Sequence, residues 1–221
     1  MNIEIDSELD QLEQFKTREA LLESRGKDGN LVDADLAFLD LQGLDLSGLD
    51  LSSALLSGSN LSDVNFQGCQ LHAVFAQDAI MDRCNFRGAT IDQGHLQNIS
   101  LIDADFSGSD LSHANIFLCK MHNAKLRDVD LSGAQMLGCN LSGAQIENAN
   151  MEDVTLRDSD LEGSHFISCN LRNIDMRKTN LTLATYESVE TEGALYYGKS
   201  PWSGVAQDEK FKREMHTFDG E

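Results

Sequence analysis

From Leu36 to Tyr186 the chain repeats every five residues without an insertion or a deletion. The 31 repeat centres, at positions 36, 41, 46 and onward to 186, are Leu, Phe, Met, Ile or Tyr everywhere except Ala76. The residue two positions before each centre is small or β-branched in most units, as at Ala54 and Ser59. A period of five matches neither the period of an α-helix nor that of a plain strand. The fold must therefore repeat a short unit of its own.

Each unit combines a short extended step with a turn. Two apolar positions that lie two residues apart place both side chains on one side of an extended segment. The residues between these steps are mostly Ser, Asp, Asn and Gly, as in LSGLD, FQGCQ and FSGSD, and these residues favour turns. A chain that steps inward, turns and repeats closes into a coil and stacks on itself, as solenoids do.

The units ADL, SDLSG, GAQI and CNLSG resemble the pentapeptide-repeat family, whose pattern is A-(D/N)-L-x-x. The resemblance covers about 155 of the 221 residues. It implies an all-β fold, a right-handed quadrilateral parallel β-helix with four units in each coil. On that geometry the units make about eight coils, and a spacing of roughly 4.8 Å between paired strands gives a rod about 37 Å long.

Both flanks of the repeat differ from it in pattern. We expect residues 1–30 to form an N-terminal helical cap, residues 31–190 the β-helix, and residues 191–221 a segment outside the repeat. The cap has apolar residues at helical spacing, followed by RGKDG as a stop signal; they are Ile5, Leu9, Leu12, Phe15, Leu21 and Leu22.

The C-terminal segment gathers aromatic residues, namely Tyr196, Tyr197, Trp202, Phe211 and Phe218. Three roles are open for it: capping the last coil, pairing two subunits in a homodimer, or forming a mobile tail.

Composition restricts the location and the partners. No run of about 18 apolar residues occurs, so we expect no membrane association. The N-terminus lacks the pattern of a secretory signal, so we expect a cytoplasmic protein. The net charge of −20 argues against direct nucleic-acid binding, because that requires Lys and Arg against phosphate. The negative charge permits a basic partner, or it serves only to keep the protein soluble.

The sequence predicts no enzyme and no cofactor. All five cysteines fall two residues before a centre, where they are expected to act as small apolar wall residues. Their spacing fits neither a zinc site nor a disulfide framework. The six histidines form no HExxH motif, the glycines recur only at turn spacing, and a filled convex rod offers no concavity for a catalytic site. We therefore predict no catalytic, cofactor-binding or metal-binding residues.

With four units per coil, residues 20 apart lie on one face. The face centred on positions 36, 56 and onward to 176 carries large apolar residues at outward positions, which the repeat does not require. They are Phe38, Leu55, Phe75, Phe117, Leu118 and Leu137. Phe75 has an alternative, which is to turn inward beside Ala76. With a net charge of about −1, this apolar face is predicted to be a contiguous docking stripe.

Two acidic faces flank the apolar face. The face centred on positions 51 to 171 has a net charge of −5 and carries Asp50, Asp92, Asp110, Asp130, Glu152 and Asp153. The face centred on positions 41 to 181 has a net charge of −4 and carries Asp40, Asp63, Asp82, Asp103, Asp160 and Glu162.

These surfaces support two hypotheses. In the first, the chain is a non-enzymatic interaction module whose apolar face docks a protein partner. In the second, it mimics DNA and binds a type II topoisomerase such as DNA gyrase, as the resemblance to quinolone- and albicidin-resistance proteins implies. A duplex 37 Å long carries about 22 charges, whereas residues 31–190 carry a net −14 spread over four faces.

Overall fold

The computed structural model describes residues 13–28, 30–198 and 200–202. Backbone pairing between coils joins each bridging residue to the residue 20 positions later, always in parallel. In the column that begins at Asp35, eight successive pairings lead through Leu55, Phe75 and His95 to Leu195. Four five-residue units therefore make one coil. The predicted all-β parallel β-helix is confirmed.

The regular elements are short because the chain turns after every unit. They are β1 (Glu13–Gln14), α1 (Arg18–Arg25), β2 (Leu39–Asp40), β3 (His95–Gln97), β4 (Asn115–Phe117), β5 (Lys125–Arg127), β6 (Gln145–Glu147), β7 (His165–Ile167) and β8 (Thr185–Glu187). β1 pairs with β2, β3 with β4, and β5 to β8 form one four-stranded parallel sheet. Most other units contribute a single bridging residue to each neighbouring coil.

The N-terminal segment covers the edge of the first coil with a strand and a helix. β1 pairs in parallel with β2, and the N–H of Phe15 donates to the carbonyl of Asp40 at 3.0 Å. α1 begins after Thr17, whose hydroxyl accepts the N–H of Ala20 at 3.1 Å. Such a cap typically stabilises a helix by about 1 kcal/mol.

The expected N-terminal helix is therefore present only in part. The sequence predicted helical spacing that includes Phe15, but the structure has a strand at Glu13–Gln14, and α1 covers only Arg18–Arg25. The physical reason is that the first coil presents unpaired backbone groups, which a strand can satisfy and a helix cannot. The predicted positions Ile5, Leu9 and Leu12 lie outside the described residues.

The interior is filled by stacked ladders of side chains. Repeat centres and the small residues two positions before them are buried along the coils. Phe86 stacks between Phe66 and Phe106, with ring centroids 5.0 Å and 4.7 Å away. All five cysteines are free and buried, and the thiol of Cys69 donates to the carbonyl of Leu46 at 3.0 Å. Their predicted role in the wall is confirmed.

Ala76 leaves space that its neighbours only partly fill. An apolar cavity of about 10 Å³ lies in this region, lined among others by Leu56 and Leu96, the centres one coil before and one coil after Ala76. A void this small, lined by apolar side chains, offers no polar groups that could hold a water molecule. Phe75 does not fill it, because this residue is 41% exposed and its ring stacks on His95 at 4.6 Å. The alternative in which Phe75 turns inward is wrong.

The regular pairing continues through Leu195. Beyond it, Trp202 makes edge-to-face contacts with Tyr186 at 5.8 Å and with Tyr196 at 5.2 Å. Burial raises the pKa of the Tyr186 hydroxyl. Phe211 and Phe218 lie outside the described residues. Within the described part of the chain, no helix is long and apolar enough to cross a membrane.

Candidate functional site

The repeat positions the predicted apolar residues on one face of the rod, and most of them are exposed. Phe38 is 65% and Leu118 is 62% exposed, which are high values for such large apolar side chains. Leu55, Phe75 and Leu137 are exposed to a lesser degree. The sixth predicted residue, Phe117, is half-buried.

These residues form two clusters and not the contiguous stripe expected from the sequence. The N-terminal cluster consists of Phe38, Leu55 and Phe75, and the C-terminal cluster consists of Phe117, Leu118 and Leu137. Between them lies the coil that carries His95, Gln97 and Asn98 at its outward positions. The interruption arises because the repeat fixes only the inward residues, so outward residues vary freely from coil to coil.

The two most exposed residues of these clusters each lie against a glycine of the next coil. A Cβ added to Gly58 would lie 2.5 Å from Cε1 of Phe38, and one added to Gly138 would lie 2.8 Å from Cδ2 of Leu118. The glycines let the large side chains lie along the surface. Sequence reasoning missed this relationship, although its signal is visible: a glycine follows each of these residues one coil later.

Phe38 and Leu118 also adopt an unfavourable backbone conformation. Their φ angles are 57° and 58°, in the left-handed region that costs roughly 1–2 kcal/mol for residues with a Cβ. Elsewhere the same turn position is often Gly, Asp or Asn, which tolerate it better. Other non-glycine residues, Leu183 among them, share this conformation, so the strain belongs to the turn and does not by itself indicate binding.

Charges on the apolar face are few and nearly balanced, at a net charge of about −1. Near its C-terminal end, Arg177 makes a two-point contact with Asp175 at 2.8 Å and 2.6 Å. Nearer the middle, the amide of Asn98 donates to Asp78 at 2.6 Å. This face therefore presents much less unbalanced charge than its neighbours.

The predicted acidic residues fall into two groups with different roles. The first group lies directly before a repeat centre, and each carboxylate accepts the backbone N–H two residues later at 2.9–3.2 Å. This group comprises Asp40, Asp50, Asp110, Asp130 and Asp160. A side-chain oxygen that closes such a turn explains these residues structurally, so their presence alone does not indicate a binding site.

The second group lies after the centres and reaches outward. Asp82 accepts hydrogen bonds from Ser100 and Ile102, and Asp103, Glu152 and Glu162 accept from Asn side chains one coil away. The carboxylate of Asp92 lies 2.8 Å from the His72 ring, and Asp153 is exposed.

Asp63 belongs to this second group and makes a two-point ion pair with Arg83, with both N–O distances at 2.7 Å. Hydrogen bonding from the guanidinium lowers the pKa of the Asp63 carboxyl. The pair neutralises the Asp63 carboxylate locally, and the net charge of −4 for this face already counts Arg83.

Sequence reasoning also missed three exposed apolar residues near the C-terminal end. Leu195 and Tyr197 extend the apolar face beyond the predicted repeat, and Leu183, 75% exposed, lies on the acidic face that carries Asp63. Among residues 13–28, 30–198 and 200–202, no group of three or more His, Cys, Asp or Glu residues is placed to hold a metal ion.

The chain is similar to two solved structures over most of its length. HetL, a pentapeptide repeat protein involved in heterocyst differentiation regulation from the cyanobacterium Nostoc sp., is 24% identical, with a TM-score of 0.47 over 80% of this chain and 87% of HetL. A trypsin-treated variant of QnrB1, a plasmid-mediated fluoroquinolone resistance protein, is 16% identical, with a TM-score of 0.41 over 86% of this chain and 93% of that variant. No curated protein sequence is significantly similar to the chain.

Comparison with known families gives two matches along this chain. The model "Pentapeptide repeats (8 copies)" matches residues 30–68 and 79–116, and the model "Pentapeptide repeat region" matches residues 117–186. The matched residues make up more than half of the chain and coincide with the unbroken 20-residue coils. The chain therefore belongs to the pentapeptide-repeat family.

Proposed function

We propose that the chain is a non-catalytic protein-interaction module that docks a protein partner through its apolar face, between two acidic faces. The observation that carries this proposal is the exposure of Phe38 and Leu118, two large apolar side chains, on one face of little net charge. Burying a side chain of this size at an interface contributes about 1.5–3 kcal/mol.

The experiment compares two variants in a binding assay with extract of the native host. Phe38→Ser combined with Leu118→Ser should abolish capture of a partner by the immobilised protein while the circular dichroism spectrum stays unchanged. Leu183→Ser is the matched control, because Leu183 is at least as exposed and occupies the same turn position on another face. Loss of the same partner in both variants, or in neither, would contradict the proposal.

A second candidate function is DNA mimicry towards a type II topoisomerase. It is favoured by the outward carboxylates of Asp103, Asp153 and Glu162, which lie exposed on the two acidic faces. Under this hypothesis, replacing these three residues with their amides should reduce inhibition of DNA supercoiling by purified gyrase. The Phe38 and Leu118 variants should leave that inhibition unchanged. Absence of any effect of the wild-type protein on supercoiling would reject the mimicry.

A further inference from the structure

The apolar face has an internal symmetry that its composition alone does not reveal. Six consecutive coils, from the unit of Phe38 to the unit of Leu137, contain both apolar clusters. In the column of turn residues the order is Phe38, Gly58, Asp78, Asn98, Leu118 and Gly138. When this column is set against its own reverse, each large residue falls opposite a glycine, and the acidic residue falls opposite the amide.

We propose that a second copy of this chain docks on the apolar face, antiparallel to the first. Its two-fold axis would run across the rod between the coil of Phe75 and the coil of His95. This inference names the partner for the face in the proposed function and rests on it. In a two-fold interface the same patch serves both copies, so it must be complementary to its own reverse.

The turn column meets this requirement. With the axis at that place, Phe38 of one copy faces Gly138 of the second copy, and Leu118 faces Gly58. Each of these glycines already lies beside a large side chain of its own chain. Because Phe38 covers Gly58 and Leu118 covers Gly138 within each copy, the Phe38 side chain of one copy would pack against the Leu118 side chain of the other.

Two further pairs of outward positions agree with this alignment, although Leu55 faces the polar Asn115. Ala37 faces Leu137 of the second copy, and Ser57 faces Phe117, so large residues again meet small ones. At the axis Phe75 faces His95, and within one chain these two rings already stack at 4.6 Å.

Charge favours association through this face. Over the six coils its outward positions carry no Lys or Arg and only two acidic residues, Asp35 and Asp78. They would face Gln135 and Asn98 of the second copy, both able to donate hydrogen bonds. Association through the acidic faces would bring like charges together in a protein of net charge −20, and like charges repel.

The size of the contact predicts its strength. Six coils at a spacing of about 4.8 Å span roughly 29 Å, and three strand steps across the face span about 10 Å. The contact is well below the roughly 800 Å² per partner of a standard stable interface. The dimer should therefore be weak and should depend on concentration.

A cross-linking experiment tests the geometry. The five native cysteines are buried, so a cysteine at an exposed position would be the reactive thiol. In Asn98→Cys the two thiols would lie beside the axis, about one coil spacing apart along the rod, and a short bismaleimide should join them into a dimer. Gln93→Cys is the matched control, since Gln93 occupies the same turn position of the same coil on an acidic face, with φ of 57°. Equal cross-linking of both variants, or of neither, overturns the proposal.

Sedimentation tests the chemistry of the contact. The dimer should strengthen as salt is raised, because salt screens repulsion between the two acidic copies. Leu118→Asp should weaken dimerisation at least tenfold, whereas Leu183→Asp should not. A wild-type protein that stays monomeric up to millimolar concentration at high salt overturns the dimer. If the protein stays monomeric but the variant at Phe38 and Leu118 loses a host partner that the Leu183 variant keeps, the proposed function still holds. Failure of the dimer and failure of the proposed function are therefore distinguishable.

Discussion

The ring of Phe38 lies so close to Gly58 of the next coil that a Cβ there would be 2.5 Å from its Cε1 atom. Gly58→Ala should displace this ring and also impose the strain of a φ of 68° on an alanine, which costs roughly 1–2 kcal/mol. We expect a lower unfolding free energy in urea and altered ring resonances of Phe38 in NMR spectra.

Gly68→Ala is the matched control for this change. Gly68 has a φ of 66°, and a Cβ there meets nothing within 4 Å. It should lose about the same stability from strain, roughly 1–2 kcal/mol, while the Phe38 resonances stay unchanged. If the ring resonances of Phe38 shift equally in both variants, the contact with Gly58 does not position the Phe38 ring.

Phe86 should be among the most sensitive residues of the core, because it stacks on a ring above and a ring below. It also lines the cavity near Ala76, so truncation would enlarge an existing void. Phe86→Ala should lower the unfolding free energy by about 3–5 kcal/mol. Phe38→Ala, on the surface, should lower it by less than about 1 kcal/mol. Urea denaturation followed by circular dichroism measures both, and comparable losses would refute the ladder as the main support of these coils.

The turn-forming role of Asp110 can be separated from its charge. Its carboxylate accepts the N–H of Ser112 at 2.9 Å, and Asn140 accepts the equivalent bond from Ser142 at 3.0 Å. Asp110→Asn should therefore keep the stability of the wild type, whereas Asp110→Ala should lose about 1 kcal/mol. Thermal unfolding of the two variants decides the matter, and equal melting temperatures would show that the hydrogen bond contributes nothing.

The cysteines should be unreactive in the folded protein, because all five side chains are buried. Burial raises the pKa of Cys69 to about 11, so at pH 8 roughly one thiol in a thousand is the reactive thiolate. Burial also raises the pKa of Cys84. Ellman's reagent should detect no fast-reacting thiol in native protein and five in denaturant. Since thiolate reacts and thiol does not, any native reaction should rise with pH. A fast-reacting thiol at pH 8 in the native state would contradict the burial of these side chains.

The interior was predictable from the sequence because the five-residue period indicates directly which side chains point inward. The ladder of Phe66, Phe86 and Phe106 follows from that period together with the four units per coil that the family resemblance implies. The N-terminal strand at Glu13–Gln14 was not predictable in this way, because it depends on the open edge of a distant coil. The division of the apolar face into two clusters also escaped the sequence analysis, which sorted residues by face but not by coil.

By itself, the repeat of one apolar centre every five residues determined that this chain is a solenoid of stacked coils, because every unit must bury the same kind of side chain. Four units in each coil were implied by the resemblance to the pentapeptide-repeat family, and the pairing of residues 20 apart confirms that number. Only the tertiary structure decided what the outer surface presents. It places Phe38 on Gly58, pairs Asp63 with Arg83, and assigns Asp110 to a turn. These are contacts between coils or between a side chain and the backbone, and they exist only once the coils are stacked in register.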